Sequence, residues 1–143
     1  MGYYDNRLNI DRLLRPLIMY NLNVEEHFIK SLNLLPTHLA QDIERVIGFG
    51  KVAVIADAPS ELLTKTKEAW QSLKNERTVS PIRFSAVAPT DLLNADVTFA
   101  TVDAFSRIPP MCQHIFVTCP VTKQKLHMIT SWMPKGSTVI IYR

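Results

Sequence analysis

The stretch 51–57, KVAVIAD, decides the fold. Val52, Ala53, Val54, Ile55 and Ala56 follow one another with no polar residue between them. A strand with one wet face alternates apolar and polar side chains; a strand covered on both faces does not, and covered strands are the central members of parallel sheets. The period changes directly afterwards. Leu62, Leu63, Thr66, Ala69, Trp70 and Leu73 recur at helical spacing, with Lys65, Lys67, Glu68 and Lys74 on the opposite face. Strand followed by amphipathic helix is the repeating unit of a parallel α/β sheet.

Toward the C-terminus the unit recurs. PIRFSAVA (81–88), DVTFATV (96–102), HIFVTC (114–119) and STVIIYR (137–143) read as further strands, five in all. Adjacent prolines make 106–112, SRIPPMC, a loop. Thr122 is placed to cap a helix whose buried face is Leu126, Ile129 and Met133, and Val121 with Leu126 has the spacing of a hydrophobic staple. Pro134 and Gly136 stop that helix. The expectation is a Rossmann-like, mostly parallel five-stranded α/β sheet with helices on both faces over residues 51–143.

Toward the N-terminus, residues 1–50 read as a helical prefix to the same single domain, 1–143. Leu8, Leu13, Leu14, Leu17 and Ile18 form a partial apolar face interrupted by Pro16. Asn23 and Glu26 resemble a capping box, and Val24, Phe28, Leu32 and Leu35 follow at helical spacing. Pro36 is expected to end that helix. Thr37 is expected to cap another with the stripe Leu39, Ile43, Val46 and Ile47, closed by Gly48 and Gly50.

Composition narrows the classes. An apolar fraction of 47% and a charged fraction of 20% are those of an ordinary globular chain. No apolar run approaches the roughly 18 residues of a membrane span, and no secretory signal is visible at the start. Cys112 and Cys119 flank a strand that would hold them ~23 Å apart, beyond disulfide reach. Reduced thiols and a cytoplasmic address are therefore the expectation. The net charge of +3 is spread thinly, without the basic stripe and interleaved aromatics of a nucleic-acid groove. His27, His38, His114 and His127 show no metal-ligand spacing.

In parallel sheets ligands sit at the carboxyl ends of the strands, where the strand order reverses. The residues to weigh are those just past each strand. After KVAVI comes Ala56-Asp57-Ala58-Pro59, without the glycines a phosphate-cradling turn needs. Asp57 can accept a hydrogen bond from a ligand, or cap the helix. Asp91 lies late for a ribose-binding acid. Asp103 can accept from an adenine amine with Phe105 stacked on the ring, or simply form a turn. Cys119 reads as a buried small hydrophobe, and Lys123 and Lys125 as a solvated helix face.

VTFATVDAF, HIFVTCP and MITSWMPKGSTVIIYR together resemble class I S-adenosylmethionine-dependent methyltransferases, and the nicotianamine-synthase branch of that fold is similar in the same region. Met133-Pro134-Lys135-Gly136-Ser137 stands where that family has a Leu-Lys-Pro-Gly-Gly stop. The resemblance covers about the last fifty residues, and residues 51–94 only by element order. It implies a Rossmann-like fold and S-adenosylmethionine as the cofactor to consider, with Asp57, Asp103 and Phe105 at the positions it assigns to that ligand. The departures are the absent glycine-rich loop, His114 in place of an aspartate, and a chain that stops after the last strand. No residue is assigned to methyl transfer.

Two functions follow as expectations. One is a non-catalytic, degenerate Rossmann-like module that binds a protein partner or a second copy of itself through the C-terminal edge strand. The other is an enzyme that binds S-adenosylmethionine or another adenosine ligand.

Overall fold

The computed structural model describes residues 22–76, 82–86, 95–107, 112–131 and 133–143. They form one all-parallel sheet flanked by helices. The strands are β1 (Asn23–His27), β2 (Val52–Ile55), β3 (Phe84–Ser85), β4 (Val97–Ala100), β5 (His114–Val117) and β6 (Thr138–Tyr142). The helices are α1 (Leu35–Val46), α2 (Pro59–Glu76), α3 (Val102–Arg107) and α4 (Lys123–Thr130). Across the sheet the order is β1-β6-β5-β2-β4-β3.

KVAVIAD is the central strand its composition implies. Val52 to Ile55 are fully buried and pair with β4 on one side and β5 on the other. Successive side chains enter opposite cores. Val52 and Val54 join Phe99, Phe116, Ile140, Trp70, Leu39 and Ile43 beneath α1 and α2. Ala53 and Ile55 join Ile115, Val139, Ile141, Phe105, Leu126 and Ile129 beneath α3 and α4.

The path of the chain accounts for this segregation. The connections β1 to β2 and β2 to β3 travel toward the β3 edge and carry α1 and α2 on one face. Those from β4 to β5 and β5 to β6 travel the opposite way and carry α3 and α4 on the other. Reversing both direction and face preserves one crossover hand, as right-twisted strands require. The direction reverses beside β2, with β5 on the far side of it.

Several expectations change. The sheet has six strands, not five, because 23–27 is β1, paired in parallel with β6 from Asn23↔Thr138 to His27↔Tyr142. Asn23 and Glu26 therefore form no capping box. Backbone pairing across more than a hundred residues overrides the local helical spacing. Pro36 lies in the first turn of α1 rather than ending a helix, the position where its missing N–H costs nothing. The last strand is not an edge: β6 sits between β1 and β5. The first helical stretch of the prefix, Asp91 and the proline pair fall outside the described residues. Thr122 does cap α4, its Oγ1 accepting from the Lys125 N–H at 3.2 Å, and Val121 and Leu126 are buried in one core.

Candidate ligand cleft

At the carboxyl ends of β2 and β5 the polypeptide leaves an open cleft of about 780 Å³. Its floor is Ala56, Asp57, Thr118 and Cys119, the residues immediately past those two strands. One wall is the start of α1 with the turn before it, Leu32 to Thr37; the other is the α2 face bearing Glu61, Leu62, Lys65 and Glu68. The position follows from the topology. Neighbouring strands whose connections leave in opposite directions cannot both have their ends covered.

The floor is tied down by the backbone. The Thr118 N–H and hydroxyl both donate to the Ile55 carbonyl, at 3.0 Å and 2.8 Å, locking the ends of β5 and β2 together. Burial, reinforced by the charge of Asp57 and a hydrogen bond to it, pushes the Cys119 thiol up to about 12. Cys119 is therefore held as a thiol on the floor, with its thiolate suppressed. Burial likewise pushes Cys112 up to about 12, against a smaller opposing effect of a backbone hydrogen bond at His114. Neither cysteine is in a disulfide.

The cleft's charges are unbalanced. Among the described lining residues, Asp57, Glu61 and Glu68 face a single cation, Lys65, whose Nζ already lies 3.1 Å from Glu61 Oε1. Leu35, Pro36, Leu62 and Ala69 add apolar surface, interspersed with the uncharged polar Asn33, Thr37 and Ser72. An anion at the N-terminus of α2 would meet carboxylates, whereas a cation on an apolar body would meet complementary surfaces on both walls.

Of the three residues the sequence singled out, Asp57 lines the cleft. Asp103 lies in the first turn of α3, on the other face of the sheet, where the Lys125 ammonium pairs with it. Phe105 is 1% exposed within the core beneath α3 and α4 and offers no ring face to a ligand. The three do not converge, and the β2–α2 turn has no positive-φ glycine; among the described residues those are Gly50 and Gly136. Among the described residues no group of three His, Cys, Asp or Glu side chains is placed to hold a metal ion, and no helix is long and apolar enough to cross a membrane.

Sequence reading missed the wall contributed by 32–37, because it took the segment for the junction of two helices in a prefix, and helical spacing does not say which strand ends such a junction meets. It also missed a polar cluster beneath α1. His27 Nδ1 lies 2.9 Å from Asp42 Oδ2 and Nε2 lies 3.0 Å from Glu25 Oε1. The Tyr142 hydroxyl donates to Asp42 Oδ2 at 2.6 Å, and Arg45 reaches Glu25 at 2.9 Å and Asp42 at 3.3 Å. These residues are scattered over 118 positions of the chain, and no local spacing joins them. The chain matches no protein-family model and no curated protein.

Proposed function

We propose that the chain is a non-catalytic Rossmann-like binding module whose cleft takes a small organic cation with an apolar body. The open cleft at the carboxyl ends of β2 and β5 carries the reading, because it lies at the reversal point where parallel sheets bind ligands. Three carboxylates against one paired lysine favour positive charge on that ligand. The thiol on the floor is held protonated and no histidine is among the described lining residues, which favours binding over thiol- or imidazole-based chemistry.

S-adenosylmethionine and its demethylated product, S-adenosylhomocysteine, make an informative pair. They share a scaffold and differ by one methyl group and the sulfonium charge. Titration calorimetry and thermal shift with this pair, spermidine and adenosine monophosphate test the reading. Cations are expected to raise the melting temperature and the nucleotide anion to leave it unchanged. No shift with any of them at about 1 mM would overturn it.

A second reading is a protein-binding surface beside the cleft. Leu32, in one wall, is 84% exposed and Phe28, four residues before it, 60% exposed, and exposed large apolar side chains can mark interaction sites. Light scattering across protein concentration tests self-association there. A mass that stays monomeric throughout would exclude a second copy as the partner.

A further inference from the structure

His27 ends β1, which among the described residues is the outermost strand and pairs with β6 alone. Its ring stands between two carboxylates, Asp42 on α1 at 2.9 Å and Glu25 on its own strand at 3.0 Å. A carboxylate only accepts hydrogen bonds. An imidazolium donates from both nitrogens and satisfies both partners. A neutral ring carries one N–H, and its other nitrogen then turns a lone pair on a carboxylate.

The neighbouring groups do not relieve that conflict. Arg45 on α1 divides its guanidinium between the same two carboxylates. Tyr142 on β6 donates to the Asp42 oxygen that faces His27 and meets the imidazole edge-on, with ring centroids 5.5 Å apart. Phe116 on β5, packed against Tyr142, adds no charge. Arg143 is engaged with Glu26, which points to the opposite side of β1, and with the ring of Phe28.

The ring therefore fastens β1 to α1, the two elements that bracket the cleft wall. We propose that His27 is a proton-operated latch on residues 28–37. With two ring protons it ties β1 to α1 and holds the wall in place. With one, repulsion at a carboxylate loosens the wall. The latch acts on the unliganded chain, so its fate is separate from that of the cleft's proposed ligand.

Two amides report on it directly: Ile29 N–H donates to the Arg143 carbonyl at 2.8 Å, and Arg143 N–H to the His27 carbonyl at 2.9 Å. Hydrogen exchange, corrected for the intrinsic dependence on pH, is followed on the unliganded chain from about pH 5.5 to 8.5. The His27 ring nitrogens are followed by NMR in the same samples. Protection of these amides and of residues 34–37 is expected to fall about tenfold or more as the ring loses its second proton, with one shared midpoint, while Val52 to Ile55 stay protected. In His27→Gln the pH dependence is expected to disappear. Protection that is flat across the ring titration, a midpoint apart from that of the ring, or the same dependence in His27→Gln would each overturn the latch. The first two outcomes are read on the unaltered chain and stand even if the variant does not fold.

Discussion

Tyr142 and Asp42, one hundred residues apart, meet in a buried hydrogen bond of 2.6 Å from the phenolic hydroxyl to Oδ2. The contact joins the last strand to the first described helix. Burial, then the Asp42 charge and the hydrogen bond to it, hold the phenol well above its ordinary range. Tyr142→Phe is expected to cost roughly 1–3 kcal/mol, since the acceptor is charged. Asp42→Ala, which leaves the buried Tyr142 hydroxyl without its acceptor and takes one of two carboxylates from His27 and Arg45, is expected to cost at least as much as Tyr142→Phe. A raised phenol contributes stability that is complete below its ordinary value near about 10 and is lost as the pH climbs toward the folded-state value. Urea denaturation at neutral and alkaline pH checks both, and Tyr142→Phe should lack the alkaline fall.

His114 is 6% exposed on β5, and neither ring nitrogen has a hydrogen-bond partner among the described residues. Burial, with a smaller effect of the Arg45 charge, lowers its pKa. The folded state therefore binds this proton less readily than the unfolded chain. The associated stability is present above the ordinary imidazole value of about 6.5 and is lost as the pH falls below it. His114→Leu is expected to stabilise the chain by roughly 1–3 kcal/mol at pH ~5 and by less at pH ~7.5. Denaturant midpoints at the two values decide it; a variant less stable at both would contradict it.

Cys119 gives the cleft a chemical reporter. In the native chain its reaction with an exposed-thiol reagent should be far slower than that of a free thiol, because the thiolate is suppressed and the side chain is 4% exposed. Asp57→Asn removes the smaller cause and leaves burial, the larger one, so the rate should rise by less than about tenfold. A cation that binds the cleft should slow labelling of the native chain. Mass spectrometry of the labelled site reads both effects.

Gly50 leads into the central strand at φ +145° and ψ 178°, a region closed to L side chains. A Cβ there would also stand 2.0 Å from the Gln113 amide oxygen. Gly50→Ala is expected to cost roughly 1–3 kcal/mol. Gly48, two residues earlier, has open space around its Cβ position, so Gly48→Ala should fall within about 0.5 kcal/mol of the parent. Thermal melts of the pair separate backbone conformation from loss of glycine as such.

What was legible in the sequence was what neighbouring residues encode. The unbroken run in KVAVIAD demanded cover on both faces, and Val52 to Ile55 have it. The apolar stripe of α2 puts Thr66, Trp70 and Leu73 into the core as its spacing predicts. Thr122 caps α4 through a contact only three residues long. Asp57 was singled out because it follows a central strand, and that alone placed it on the cleft floor.

The rest depended on contacts that no local pattern records. Residues 23–27 carry Glu25, Glu26 and His27, whose charges are paired with Arg45, Arg143 and Asp42 and erase the apolar alternation that would have marked a strand. Their strand conformation comes from hydrogen bonds to β6, supplied by residues more than a hundred positions later. Asp103 and Phe105 also follow a strand, but α3 turns them toward the opposite face, one to Lys125 and the other into the core. The chain's local chemistry determined which segments are strands buried on both faces, which are amphipathic helices, and that the sheet is parallel. Only tertiary structure decided the strand order, and with it where the reversal opens a cleft and which carboxylates line it, because strand order is set by pairings between segments whose own sequences carry no record of their neighbours.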